Sequence, residues 1–209
     1  TRLTGILHHR RQFLWMLASL VVLLITSSIS LRTVETLSYP LYILVNLGLM
    51  AILVTATGVE RWIDIPGTSI KIQPSEMAKM SVILALATHF ANRKKKMEGL
   101  KDLIVPMTIM AIPGVLTLLQ PDLGTAIVFF FIFFGMLYWA GLRLIYLFLL
   151  LSPVISFFLA LVSLLGEMTL PLWGVFFVIL VAVVVYNRIF MMDAIIILFA
   201  NLATGILTS

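Results

Sequence analysis

Cysteine is absent from the 209 residues, and charge is scarce: Asp, Glu, Lys and Arg together make up 11%. Without cysteine there is no disulfide, no thiolate metal site and no cysteine nucleophile. Soluble domains are about 25% charged and about 45–50% apolar; this chain is 62% apolar. A water-soluble globular enzyme is therefore excluded, and so is a disordered or fibrous chain. Histidine is nearly absent too. His8 and His9 are adjacent, a poor chelating arrangement on a helix, and His89 lies near the end of an apolar run. All three read as interfacial residues. No solenoid repeat or low-complexity tract is present. What remains is a polytopic membrane protein, in which the net charge of +5 reports orientation and not nucleic-acid binding.

Eight apolar runs are present: Phe13–Leu31, Tyr39–Ala56, Pro74–Phe90, Leu103–Leu119, Ile127–Leu142, Leu144–Leu165, Leu172–Tyr186 and Ile189–Leu207. Each is close to the roughly 20 residues that cross a bilayer. All should be helices, because a backbone in lipid must satisfy its own hydrogen bonds. The expected fold is thus an all-α polytopic transmembrane helix bundle, with 12–209 as the integral membrane domain. Residues 1–11 are expected to be an outer-face tail or the end of a preceding loop. The densest basic loop, Arg93-Lys94-Lys95-Lys96 with Lys101, belongs in the cytoplasm. Alternation then puts Arg32, Arg143 and Arg188 inside and the segments Gly58–Ile72, Gln120–Gly124 and Gly166–Pro171 outside. Arg2, Arg10 and Arg11 fall outside, against the rule, which a missing upstream helix would explain. With Thr1 at one end and Ser209 closing an apolar run, a fragment of a longer chain is expected.

Few residues can carry chemistry. Glu76 and Lys79 stand three apart on one helix and share a face. Ionisable groups inside a membrane are expensive and mark functional sites by default. The pair is read either as lining a substrate cavity or as a bridge between helices. Asp122 precedes Gly124-Thr125 and a new apolar run. It is either the N-cap of that helix or a carboxylate aimed into the same outward cavity, binding a diphosphate-held metal or a sugar hydroxyl. Arg61 could clamp a phosphate through its guanidinium fork, or anchor the loop beside Trp62 at headgroup level. Asp193 reads as a helix-start acid, and Glu167 as a solvated loop residue.

Three motifs in order give the chain a family likeness: Gly58-x-x-Arg61-Trp62-Ile63, Gln73-Pro74-Ser75-Glu76-x-x-Lys79 and Gln120-Pro121-Asp122-Leu123-Gly124-Thr125-Ala126, with Leu41-Tyr42 ahead of them. Together they resemble the shape, elongation, division and sporulation (SEDS) family, nearer its elongation, RodA-like branch than its division branch. The last two spans match only loosely. The resemblance implies a bundle of ten or slightly more helices in the bacterial inner membrane. It implies a peptidoglycan glycosyltransferase that polymerises lipid II, the lipid-linked disaccharide-pentapeptide, during elongation and cell-shape maintenance. It also implies a class B penicillin-binding protein as partner. A divalent cation, Mg or Mn, is expected from the charge of the diphosphate leaving group, with Asp122 as its candidate ligand. Carried over by motif, Glu76 and Lys79 form a pair beside the central cavity and Asp122 lies near the outward one; Arg61, Gln73, Ser75 and Gln120 are taken as further substrate-cavity residues.

One departure matters. The family's large outer loop, whose Pro-Glu-x-x-Thr-Asp-Phe stretch holds the aspartate regarded as essential, has no counterpart in this sequence. The catalytic base is expected outside this chain, and the 209 residues alone are expected to be inactive. Two rivals stand beside the polymerase: a flippase for the same lipid-linked precursor, and a scaffold that only recruits the penicillin-binding protein.

Overall fold

Among the described residues, eight α-helices follow the eight apolar runs in order. The computed structural model describes residues 2–55, 63–64, 71–95, 97, 99–163 and 169–208, with side chains for 12–54, 72–95, 97, 99–162 and 172–205. The helices are α1 (Arg2–Ser27), α2 (Leu31–Thr55), α3 (Pro74–Ala91), α4 (Ile104–Leu119), α5 (Leu123–Trp139), α6 (Leu144–Ser163), α7 (Thr169–Tyr186) and α8 (Met191–Thr208). A short 3-10 turn, Leu100–Leu103, leads into α4. Two two-residue strands, β1 (Ile63–Asp64) and β2 (Lys71–Ile72), pair antiparallel between α2 and α3. The fold is an all-α membrane helix bundle. Leu31–Val54, Leu100–Leu119 and Leu144–Val162 are long and apolar enough to cross a membrane. The apolar helices Gln12–Ser27, Leu123–Trp139, Leu172–Tyr186 and Met191–Gly205 are shorter.

Several helices start earlier than the apolar runs. α1 begins at Arg2, so the segment read as a tail is helical over 2–11. α2 begins at Leu31, taking in Arg32 and Glu35, and α5 begins at Leu123. The physical reason is simple. Hydropathy marks where a helix meets apolar surroundings, whereas a helix propagates through any residue that does not break it.

Two packed groups make up the bundle. α2 to α5 share one core with the start of α6, built around Leu49, Val82, Leu86, Phe129, Phe133 and Leu137. α6, α7 and α8 share a second core around Leu149, Leu180 and Ile197. The buried stripes have helical period. On α2 they are Ser38, Tyr42, Val45, Leu49 and Ile52; on α5 they are Thr125, Phe129, Phe133 and Leu137. Direction follows from two bonds. The Tyr42 hydroxyl donates to the Ile109 carbonyl (2.9 Å), and Gln120 Nε2 donates to the Leu49 carbonyl (2.9 Å). Both partners advance together, so α2 and α4 run parallel. The connection from α2 to α3 and the turn from α4 to α5 therefore lie at the same end of the bundle.

At the opposite end, two helices close with the same turn. The Leu142 N–H reaches the Leu137 carbonyl and the Gly141 N–H reaches Tyr138 after α5; after α7, Ile189 reaches Val184 and Arg188 reaches Val185. This is the paired-bond C-terminal motif that needs one left-handed residue. Gly141 (φ 82°) supplies it in the first turn, and Arg188 (φ 48°) in the second.

α6 and α8 are held by small and polar residues. Every fourth residue of α8, Asp193, Ile197, Asn201 and Gly205, is buried. Asn201 donates through Nδ2 to Ser152 Oγ (2.8 Å) and accepts from Ser156 Oγ (2.7 Å) on α6. Small residues let membrane helices approach closely, and polar side chains then bond across the gap. Gly205 shows the closeness: a Cβ there would overlap the indole of Trp173 on α7.

Candidate functional site

The first Gln-Pro motif opens α3. Gln73 is the N-cap in extended conformation (φ −103°, ψ 107°), and Pro74 follows in the first helical turn. Pro is suited to that turn, since its missing N–H would have no partner there anyway. The Gln73 carbonyl accepts from the Glu76 N–H (3.1 Å). The helix then brings Glu76 and Lys79 together, with Lys79 Nζ 2.7 Å from Glu76 Oε1. The Lys79 side chain is 22% exposed and that of Glu76 57%. Lys79 thus sits at the border of the packed face, and Glu76 stands outside it. Ser75, one turn before Lys79, is 3% exposed, and its Oγ has no hydrogen-bond partner among the described residues. A buried hydroxyl without a partner is rare and needs a water or a ligand to explain it. The Oδ1 of Asn46 on α2 is orphaned in the same way.

The second Gln-Pro motif closes α4 and opens α5. The backbone N–H of Gln120 bonds back to Leu116 and Thr117, while its side chain reaches Leu49 on α2. Asp122 is 8% exposed and caps α5. Its Oδ1 accepts from the Thr125 N–H (3.1 Å) and its Oδ2 from the Thr125 hydroxyl (2.8 Å). The negative charge also suits the positive end of the helix. Both motifs stand at one end of the bundle, yet the three charged groups are engaged by different neighbours. Glu76 binds Lys79, and Asp122 binds Thr125. Three clefts open at the other end, and none of these three is lined by Glu76, Lys79 or Asp122. Arg61, with the rest of the Gly58–Trp62 motif, lies outside the described residues, as does Glu167.

The described residues offer a metal few ligands. No group of three His, Asp or Glu side chains capable of binding an ion occurs among the described residues, and both Asp122 oxygens already accept from Thr125. Magnesium and its neighbours need several oxygen ligands. Among the described residues, Asp122 is thus the one acid of the second motif that could hold such an ion.

The buried Asn201–Ser152–Ser156 cluster has no counterpart among the residues singled out from sequence. Its signal was present as Ser152-x-x-x-Ser156 on an apolar helix, the small-residue spacing of close membrane contacts. Asp193 is the helix-start acid expected, in the first turn of α8. Its side chain also reaches beyond its own helix, because Oδ2 accepts from the Leu100 N–H (3.1 Å). That bond ties the second helix group to the loop before α4.

Comparison with known proteins agrees with the motif order. Residues 3–173 match the cell cycle protein family of FtsW, RodA and SpoVE. A protein of Nitrosococcus halophilus described as a probable peptidoglycan glycosyltransferase FtsW is 34% identical over 140 residues, covering 64% of this chain and 35% of that protein. Its Shewanella sediminis counterpart is 32% identical over 168 residues, 78% of this chain and 40% of that protein. A Borreliella burgdorferi counterpart is 33% identical, covering 70% and 42%. The chain thus spans about two-fifths of the curated relatives it matches. Among solved structures, a chain from a study of a peptidoglycan synthase complex that coordinates polymerization and crosslinking matches with a TM-score of 0.54. It shows 31% identity over 64% of this chain and 39% of that one. With a family match over most of its length and its Gln-Pro motifs at one end of the bundle, this chain belongs to the FtsW, RodA and SpoVE family of integral membrane cell cycle proteins.

Proposed function

We propose that the whole protein is a peptidoglycan glycosyltransferase that polymerises lipid II into glycan strands at the outer face of the bacterial inner membrane. It crosses that membrane several times. The observation that carries this reading is the Glu76–Lys79 ion pair (2.7 Å), one turn from the orphaned Ser75 hydroxyl, at the end of the bundle where Asp122 and Gln120 also sit. The names of the relatives and the complex described above support it. In the reaction, a carboxylate takes the proton of the acceptor hydroxyl. The hydroxyl oxygen attacks the anomeric carbon of the donor, and the polyprenyl diphosphate leaves. That base lies outside this chain. Lys79 offsets negative charge on the substrate, and Glu76 fixes its position. Gln120 and Asp122 hold the neighbouring turn in shape. A divalent ion, if bound with the diphosphate, would be held beside Asp122 and would offset the charge of the leaving group.

A class B penicillin-binding protein is the partner we assign, to crosslink the strands. Elongation and cell-shape maintenance is the cellular role, on the likeness of the motifs to the RodA-like branch. The relatives above carry the division name, and depletion separates the two: rounded cells mean elongation, filaments mean division.

The test is the whole protein in proteoliposomes with lipid II supplied at the outer face. Long glycan without headgroup translocation is expected. Translocation without polymer makes the protein a flippase. Polymer made by the 209-residue chain alone would remove the base from its assigned place.

A further inference from the structure

We propose that the basic end of the bundle holds the phosphate headgroup of an anionic phospholipid, between Arg143 in the α5–α6 turn and Arg188 in the α7–α8 turn. Both arginines line a cleft of about 550 Å³ with Met97, Gly141, Tyr146 and Asn187. Three observations lead there, and none depends on the reaction proposed above.

The first is backbone conformation. The two turns are the same motif, and each needs a left-handed residue. Gly141 adopts that conformation without steric penalty. Arg188 adopts it at φ 48° against the clash between Cβ and backbone that L-residues suffer there. Asn187, better suited to the position, stands one place earlier. The turn tolerates strain that puts a guanidinium at the cleft. Strained residues of this kind cluster at ligand sites.

The second is charge. Among the described residues, neither Arg143 nor Arg188 has an ion-pair partner, while the acids described nearby, Asp102 and Asp193, are engaged. Asp102 pairs with Arg93 (2.7 Å), and buried Asp193 accepts from the Leu100 N–H. Lys94 and Lys95 line a second cleft that shares Met97, and Lys101 a third that shares Phe190. Two unpaired guanidinium forks facing one cleft match the bidentate geometry of phosphate.

The third is the rim. Trp139 and Tyr186, 86% and 87% exposed, end α5 and α7 beside the cleft, and exposed Phe190 and Met191 lie just before and at the start of α8. Aromatic residues at helix ends mark the headgroup level, and apolar helix surface runs from there along α6 and α8. A lipid offers a phosphate for the arginines and chains for that surface, whereas a soluble anion offers only the first. Basic pockets between spans on the cytoplasmic side suit such headgroups.

The test titrates the purified full chain in detergent with phosphatidylglycerol and with phosphatidylcholine, reading bound lipid by native mass spectrometry. Phosphatidylglycerol is expected to bind preferentially. R143Q and R188N should each weaken it about fivefold, the effect of one basic side chain at an anionic surface. R188K should retain it. Asn is at ease in the left-handed region, so R188N removes the charge and keeps the turn. R32Q, an equal loss of charge away from the cleft, should leave binding unchanged. Equal binding of the two lipids overturns the proposal, and so does an R32Q loss as large as that of R188N. Displacement of the lipid by excess inorganic phosphate assigns the cleft to a soluble anion and overturns it as well.

Discussion

Gln120 reaches from the end of α4 to the backbone carbonyl of Leu49 on α2, with Nε2 donating over 2.9 Å. The bond spans 71 positions in sequence and fastens the second Gln-Pro motif to the helix that leads to the first. Gln120→Leu should lower the stability of the purified chain by about 0.5–1.5 kcal/mol, the range of buried interhelical bonds in membranes. Gln120→Glu should cost more, because a carboxylate would face a carbonyl. Thermal unfolding in detergent ranks the two.

The Glu76–Lys79 pair separates a cavity role from a structural one. Glu76→Gln and Lys79→Met should each reduce glycan polymerisation by the whole protein about tenfold, or about 1.4 kcal/mol of barrier. The exchanged pair E76K/K79E keeps an ion pair at the same spacing. It should recover the melting temperature but not the rate, because the cation has moved. Recovery of both would make the pair a purely structural contact within α3.

Asp122 is both a cap and a candidate site residue. Asp122→Ala removes the cap and should cost about 0.5–2 kcal/mol. Asp122→Asn still accepts from the Thr125 N–H and should melt close to the parent. A fall in polymerisation with an unchanged melting temperature places the charge in the site; unchanged polymerisation leaves Asp122 as a cap.

Gly205 lies against Trp173, where an added Cβ has no room. Gly205→Leu should therefore push α7 from α8 and destabilise the chain by about 1–3 kcal/mol, as overpacking does. Asn201→Leu should cost about 0.6–1.7 kcal/mol through the lost bonds to Ser152 and Ser156. The two losses should be near additive if the contacts act independently. Unfolding of the single and double variants measures this.

The number and order of the described helices were legible from the succession of apolar runs, because lipid leaves a backbone no alternative to internal hydrogen bonding. Spacing decided that Glu76 and Lys79 meet, since residues three apart on a helix are neighbours whatever surrounds them. The cap at Asp122 was written in the same local grammar: a carboxylate, a glycine and a threonine before an apolar run. Other features depended on which helices lie side by side. The Gln120–Leu49 bond, the Asn201 cluster, the Asp193–Leu100 tie and the pairing of Arg143 with Arg188 at one cleft all join residues far apart in sequence. Local periodicity identifies the buried face of a helix but not the helix that covers it. That choice was made by the fit of small residues such as Ser152, Ser156 and Gly205, whose effect appears only once two surfaces are in contact.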